Sequence, residues 1–267
     1  MPQPLITSLQ NQRVKDVIRL RQRDQRDAWQ QFIIDGAREI QRALFGGIEI
    51  EEVFVCESLC RSEEAYNALA DLQKASVKRI DVTPPVFQKL AYGDRAEGLI
   101  AVSKTRRTSL GDVEWPASSV VAVIEGIEKP GNVGAILRSA DAAGITAVIV
   151  VDGCTDIRNP NCIRASLGTV FTRPVCEATS AEARDWLQSR AFRVLAARVD
   201  GAVNYTSADY RGNVAIVLGS EAEGLSSQWR NDAIQAVRLP MLGEADSLNV
   251  SATAAVLFYE ALRQRNL

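Results

Sequence analysis

Residues 120 to 267 alternate two hydrophobic patterns. Near-continuous apolar runs occur at residues 120–124 (VVAVI), 147–151 (AVIVV), 194–197 (VLAA) and 214–218 (VAIVL), with a shorter one at 237–239. Between them, apolar residues recur at helical spacing over residues 133–143, 160–167 and 181–190, and again from 248 to 262. Runs that do not alternate with polar positions suit strands covered on both faces, so these segments predict a parallel α/β sheet. The first hundred residues also alternate. The pattern predicts helices at 11–31, 37–44 and 63–72 and from Thr83 with Pro84 and Pro85 onward, and strands at 32–34, 52–55, 77–82 and 99–102. Residues 105–119 (TRRTSLGDVEWPASS) break both periodicities. The predicted organisation is a small α/β domain over residues 1–105, a linker over 106–119 and a second α/β domain over 120–267.

Charge and composition narrow the chemistry. With 31 Lys and Arg against 33 Asp and Glu, the chain has no global attraction to nucleic acid, so any such binding needs a local patch. The first predicted helix offers one, with Arg19, Arg21 and Arg23 among its cations, although interleaved acids also fit a solvated face. Histidine is absent, which removes Ser-His-Asp and Cys-His catalysis, imidazole acid–base chemistry and histidine metal sites. Cys56, Cys60, Cys154, Cys162 and Cys176 form no CxxC pair, so buried reduced thiols are expected, with neither a disulfide framework nor a metal site. No run is long enough to span a membrane and the N-terminus lacks a signal-peptide core, which predicts a cytoplasmic protein.

In an open parallel sheet, ligands sit at the carboxyl ends of the strands, and three unusual loops fall there. The first, Glu125-Gly-Ile-Glu-Lys-Pro-Gly-Asn132, leads into a helix carrying Arg138, with Asn132 placed to cap it. The second, Leu218-Gly219-Ser-Glu221-Ala-Glu-Gly224-Leu-Ser226, sets two carboxylates between glycines and places Ser226 at a helix start. The third runs from Pro240 to Ser251 (PMLGEADSLNVS) and opens the last helix. Taken singly, each reads equally well as a turn with a cap and solvated charges. None is a GxGxxG fingerprint or a Walker loop.

In order and spacing, Asn132-x-Gly134-x3-Arg138, Gly219-x-Glu221-x2-Gly224-Leu225 and Pro240-Met241-x5-Ser247-Leu248-Asn249-Val250-Ser251 resemble the three motifs of the SpoU/TrmH family of SPOUT RNA ribose 2′-O-methyltransferases. Residues 159–174 (NPNCIRASLGTVFTRP) also resemble the Arg-x-Ser-x-Gly stretch of that family. The resemblance covers residues 120–267. Glu125 stands where the family more often has Asp. A looser likeness over residues 1–105 is to the substrate-binding domain of rRNA-modifying members.

The resemblance implies a C-terminal sheet whose end threads a deep trefoil knot, a homodimer, and S-adenosylmethionine held in the knot mainly by backbone groups. The matching donor-binding positions are Ala197, Gly219, Leu239 and Leu248, with Leu218 and Met241 beside them. Arg138 matches the arginine at the 2′-hydroxyl. Because a guanidinium keeps its proton, the expected role is to grip the adjacent phosphate and stabilise the developing alkoxide. Asn132, Glu221, Ser247 and Asn249 match the remaining polar positions, with Ser247 expected to cap the last helix. Arg164 matches an arginine that faces RNA. The substrate implied is large-subunit rRNA; a tRNA substrate or a non-catalytic RNA-binding role are the alternatives. No metal is implied.

Overall fold

The computed structural model describes residues 5–93, 97–153, 155–201 and 203–265. In chain order it contains α1 (Gln12–Arg19), α2 (Arg23–Trp29), β1 (Gln31–Asp35), α3 (Ala37–Phe45), β2 (Ile50–Val55), α4 (Glu63–Lys74), β3 (Lys78–Asp81), α5 (Pro84–Leu90) and β4 (Leu99–Lys104). Then come β5 (Val120–Glu125), α6 (Pro130–Ala142), β6 (Ala147–Val151), α7 (Pro160–Ala165), β7 (Val175–Ala178), α8 (Ser180–Ser189), β8 (Arg193–Ala197), β9 (Val203–Asn204), β10 (Val214–Leu218), β11 (Ile234–Arg238) and α9 (Val250–Arg265). The chain divides into two compact units, one of residues 1–106 with 156–172, the other of 107–155 with 173–267.

In the first unit a four-stranded sheet has the order β1-β4-β2-β3. Strand β4 lies antiparallel to both neighbours, with Val102 opposite Ile33 and Ile100 opposite Phe54, while β2 and β3 are parallel. Val14, Val17, Phe54, Val86 and Phe87 form its buried core. The single helix expected over 11–31 is two helices. The cause is buried Arg26, whose Nη1 donates to the carbonyls of Leu20 and Arg21 at 2.9 and 2.8 Å, satisfying the acceptors exposed where the helix breaks. Its Nε donates to Asp156 Oδ2 at 2.7 Å, and the two side chains are 2 % and 8 % exposed.

That ion pair explains why residues 156–172 group with the N-terminal residues rather than with their sequence neighbours. Arg42 Nη1 donates to the Leu167 carbonyl at 2.7 Å, and the Phe32 and Phe171 rings stack at 5.9 Å. Gly168, at φ +83°, lets α3 approach so closely that a Cβ there would lie 3.0 Å from Glu39 Cα. Periodicity along the chain carries no information about such a return.

The second unit is one seven-stranded parallel sheet, β7-β6-β5-β10-β8-β11-β9. Four of the five predicted strands form within a residue or so of their expected limits; the fifth, expected at 237–239, runs from Ile234 to Arg238. Two edge strands, β7 and β9, have no counterpart in the expectation; at four and two residues they are too short to show a pattern. Val121, Val123, Ile149, Ala215, Val217 and Trp229 fill one face, and α9 packs on α6 with Ala254, Leu257, Phe258 and Ala261 buried. Cys56, Cys60, Cys162 and Cys176 are buried free thiols, and Cys154 lies outside the described residues. Among the described residues no helix is long and apolar enough to cross a membrane.

Candidate active site

The three loops predicted from sequence all belong to the second unit. Each is shaped by its local residues. Pro130 starts α6, since a missing N–H costs nothing at a first helical position, so Lys129 is the N-cap. Asn132 is therefore in the first turn and not the cap that its position suggested. Its amide is instead free to point outward.

After β10, Ser220 and Gly224 exchange backbone hydrogen bonds at 3.2 and 3.1 Å and close a tight loop. Gly219 is required there: a Cβ would lie 2.4 Å from the Gly224 backbone. Ser226 precedes a 3-10 turn (Ser227–Trp229) without capping it; its hydroxyl turns to Glu125. In the third loop the capping role belongs to Asn249 rather than Ser247, because Asn249 Oδ1 accepts the Ser251 amide at 2.9 Å at the start of α9.

Side chains from the three loops meet. Glu221 Oε1 accepts from Asn132 Nδ2 at 3.2 Å, from Asn249 Nδ2 at 2.7 Å and from the Val250 amide at 3.4 Å. Asn249 Nδ2 also donates to Asn132 Oδ1 at 3.2 Å, and Lys129 Nζ lies 3.6 Å from Glu221 Oε2. One carboxylate thereby joins the helix start of the first motif to the helix start of the third.

This cluster borders two hollows. A cavity of about 910 Å³ is lined by Ala197, Leu218, Gly219, Leu239, Met241 and Leu248, and also by Ser247 and Glu221. A smaller one of about 280 Å³, lined by Lys129, Asn132 and Glu128, shares Ser220, Glu221 and Ala222 with it. All six donor-binding positions expected from sequence thus face one cavity, whose size suits a cofactor. Its walls combine apolar surface and strand-end backbone with carboxylates of Asp200, Glu221, Glu223 and Asp246. That donor set fits a sulfonium nucleoside, which needs a flat apolar slot for a base and negative charge near its cationic centre.

Arg198 and Asp200, in the same cavity, were not anticipated. Arg198 Nε and Nη2 donate to the two oxygens of Asp200 at 2.8 and 2.7 Å, and these bonds hold the Asp200 carboxyl below its usual range. The sequence signal was only an Arg-x-Asp after a strand, which is common in turns.

The other predicted residues lie apart from the cluster. Arg138 is exposed on α6, about two turns beyond Asn132, and makes no ion pair or side-chain hydrogen bond among the described residues. Arg164 lies in the first unit, with Nη1 donating to the Tyr92 carbonyl at 3.0 Å. Arg21 is occupied internally: its Nη2 donates to the carbonyls of Lys89, Leu90 and Ala91 at 2.9, 3.1 and 2.8 Å, closing the end of α5. Arg19 and Arg23 are more than half exposed, beside Asp16 and Asp27. Among the described residues no group of three or more His, Cys, Asp or Glu side chains is placed to hold a metal ion.

Comparison with known proteins agrees with this geometry. Residues 119–259 match the SpoU rRNA Methylase family, and residues 11–101 match the MRM3-like substrate binding domain. A 23S rRNA (guanosine-2′-O-)-methyltransferase RlmB from Xylella fastidiosa is 33 % identical over 236 residues, covering 84 % of this chain and 95 % of the relative. The crystal structure of an RNA 2′-O ribose methyltransferase superposes with a TM-score of 0.87 at 42 % identity, covering 99 % of this chain and all of the other. The AdoMet-bound rRNA methyltransferase from Sinorhizobium meliloti superposes with a TM-score of 0.87 at 27 % identity over 97 % of both chains. With three motif loops joined by the hydrogen bonds of Glu221 and both the methylase and the substrate-binding models matched, the chain belongs to the SpoU rRNA methylase family.

Proposed function

We propose that this protein methylates a ribose 2′-hydroxyl of large-subunit rRNA with S-adenosylmethionine as donor. One observation carries the reading: the Glu221 carboxylate, bonded to Asn132 and Asn249, sits where the larger and smaller hollows meet. The residues lining the larger hollow would hold the donor, which supplies an electrophilic methyl group when bound. Ala197, Leu218, Gly219, Leu239, Met241 and Leu248 offer strand-end and loop backbone to a nucleoside, and Ser247 stands on the same wall.

The substrate ribose approaches by way of the smaller hollow, beside Asn132. Arg138, unengaged and exposed on the helix that Asn132 begins, grips the phosphate next to the target ribose. There it stabilises the oxygen as its proton leaves to a neighbouring group or water. Asn132, Glu221 and Asn249 hold the loops in register. Arg19 and Arg23 lie within residues 11–101, the stretch matched to a substrate-binding domain, and with Arg164 they supply contacts to folded RNA.

The same reading includes a deep trefoil knot at the C-terminal end, a cytoplasmic location and a homodimer. Segments around residues 197–200, 218–225 and 237–248 line one cavity, which supports the donor-binding part of this reading. Tyr259, 51 % exposed on α9, offers apolar surface to a second copy. Calorimetry with S-adenosylmethionine, paired with light scattering of the same sample, tests the reading. One donor bound per chain in a dimer is expected; no heat of binding, or a monomer at micromolar concentration, would contradict the corresponding part.

A further inference from the structure

The carboxylate of Glu125 ends β5 and is 7 % exposed, yet among the described residues none of its hydrogen-bond donors is charged. Its Oε1 accepts from Ser180 Oγ at 2.8 Å, Ser226 Oγ at 2.8 Å and Trp229 Nε1 at 2.9 Å, and its Oε2 accepts the Ser226 amide at 2.8 Å. A buried carboxylate held this way is costly to desolvate, so its retention needs a structural reason. Three of the four bonds go to residues 226–229, directly after the loop that carries Glu221 and lines the larger cavity. Trp229, fully buried, anchors the same segment in the core.

We propose that Glu125 is a positioning residue for methyl transfer: it fixes the exit of the loop over residues 219–229, so that Gly219 to Leu225 keep the shape of the donor wall and Glu221 keeps its register with Asn132 and Asn249. The loop is then held at both ends, by the exchanged bonds of Ser220 and Gly224 behind β10 and by Glu125 beyond Leu225. No isosteric neutral group replaces it. A glutamine amide oriented to accept from Ser180, Ser226 and Trp229 turns its NH2 toward the Ser226 N–H, donor against donor.

This inference rests on the larger cavity being the donor site, and the test separates the two. Donor affinity is measured first for the unaltered protein, then for Glu125→Gln, Ser226→Ala, Trp229→Phe and Ser180→Ala, with the melting temperature of each. No donor binding by the unaltered protein refutes the functional reading itself. Given binding, Glu125→Gln, Ser226→Ala and Trp229→Phe are expected to weaken donor affinity roughly fivefold to tenfold. Ser180→Ala removes a bond to the same carboxylate without touching the loop; it is expected to lower the melting temperature and leave donor affinity within about twofold. If Glu125→Gln does not fold, the contrast between Ser226→Ala and Ser180→Ala carries the test. Unchanged affinity in the loop variants, or an equal loss in Ser180→Ala, overturns the proposal.

Discussion

Asp35 closes β1 with Oδ2 accepting the Tyr92 amide at 2.6 Å, and burial pushes its pKa up to about 6. The amide bond and Arg164 pull it down; Glu97 and Glu39 push it further up. Because the folded value exceeds the unfolded one, the folded state prefers the proton. This group's contribution to stability is fully present below about pH 4, falls as the pH rises toward 6, and is lost above it. Raising a carboxyl from 3.8 to about 6 corresponds to about 3 kcal/mol as an upper bound. Asp35→Asn keeps an acceptor for Tyr92 and removes the charge. It is expected to raise the melting temperature at pH 7.5, to have little effect near pH 4, and to flatten the profile between them; destabilisation at pH 7.5 would show that Asp35 is needed as an anion. Nothing in the sequence FIID marked this carboxyl, since its environment comes from Tyr92, Glu97 and Arg164, distant in the chain. Glu125 was equally hidden. Its one sequence signal was an acid ending a buried apolar strand, and the donors that give it a role lie 55 to 104 residues away.

At the scale of elements, the central strands were legible because a strand buried on both faces has no polar alternation to confuse the reading. The loops were legible as strand-end segments that line hollows but not as capping geometry. Lys129 and Asn249 took the capping positions assigned to Asn132 and Ser247, leaving Asn132 to bridge between loops. The break between α1 and α2 was invisible because the carbonyls it exposes are satisfied by a side chain, Arg26, whose burial depends on Asp156. The same split divides the basic residues by role. Arg21 closes the end of α5, so Arg21→Ala is expected to lower stability by about 1–3 kcal/mol, a loss readable by thermal unfolding. Arg19 and Arg23 are exposed, so Arg19→Ala with Arg23→Ala is expected to weaken RNA binding and reduce the slope of its salt dependence by up to about two, leaving donor affinity unchanged. A filter-binding series across salt concentrations reads both; an unchanged slope would mean that this face does not meet phosphate.

On the scale of the whole molecule, the two-unit plan follows from where the pattern breaks, whereas the grouping of residues 156–172 with the first unit follows from Arg26, Arg42, Phe32 and the space at Gly168. The family motifs mark residues without stating which partner each one serves: Arg164 lies within residues 119–259, matched to the methylase family, yet it groups with the first unit and donates to the Tyr92 carbonyl. In the proposed mechanism the donor occupies the cavity of the second unit, and catalysis falls to a guanidinium that no described neighbour engages. A lysine at position 138 keeps the charge but loses the fork that fits phosphate and developing alkoxide together. The most direct measurement is transfer of labelled methyl from S-adenosylmethionine to large-subunit rRNA, with the product mapped by the resistance of a 2′-O-methylated position to alkaline cleavage. The expected result is a single ribose methylation by the unaltered protein and a loss of about a hundredfold or more in turnover for Arg138→Lys, with donor affinity unchanged. Label found on a base, or near-normal turnover by Arg138→Lys, would contradict that mechanism.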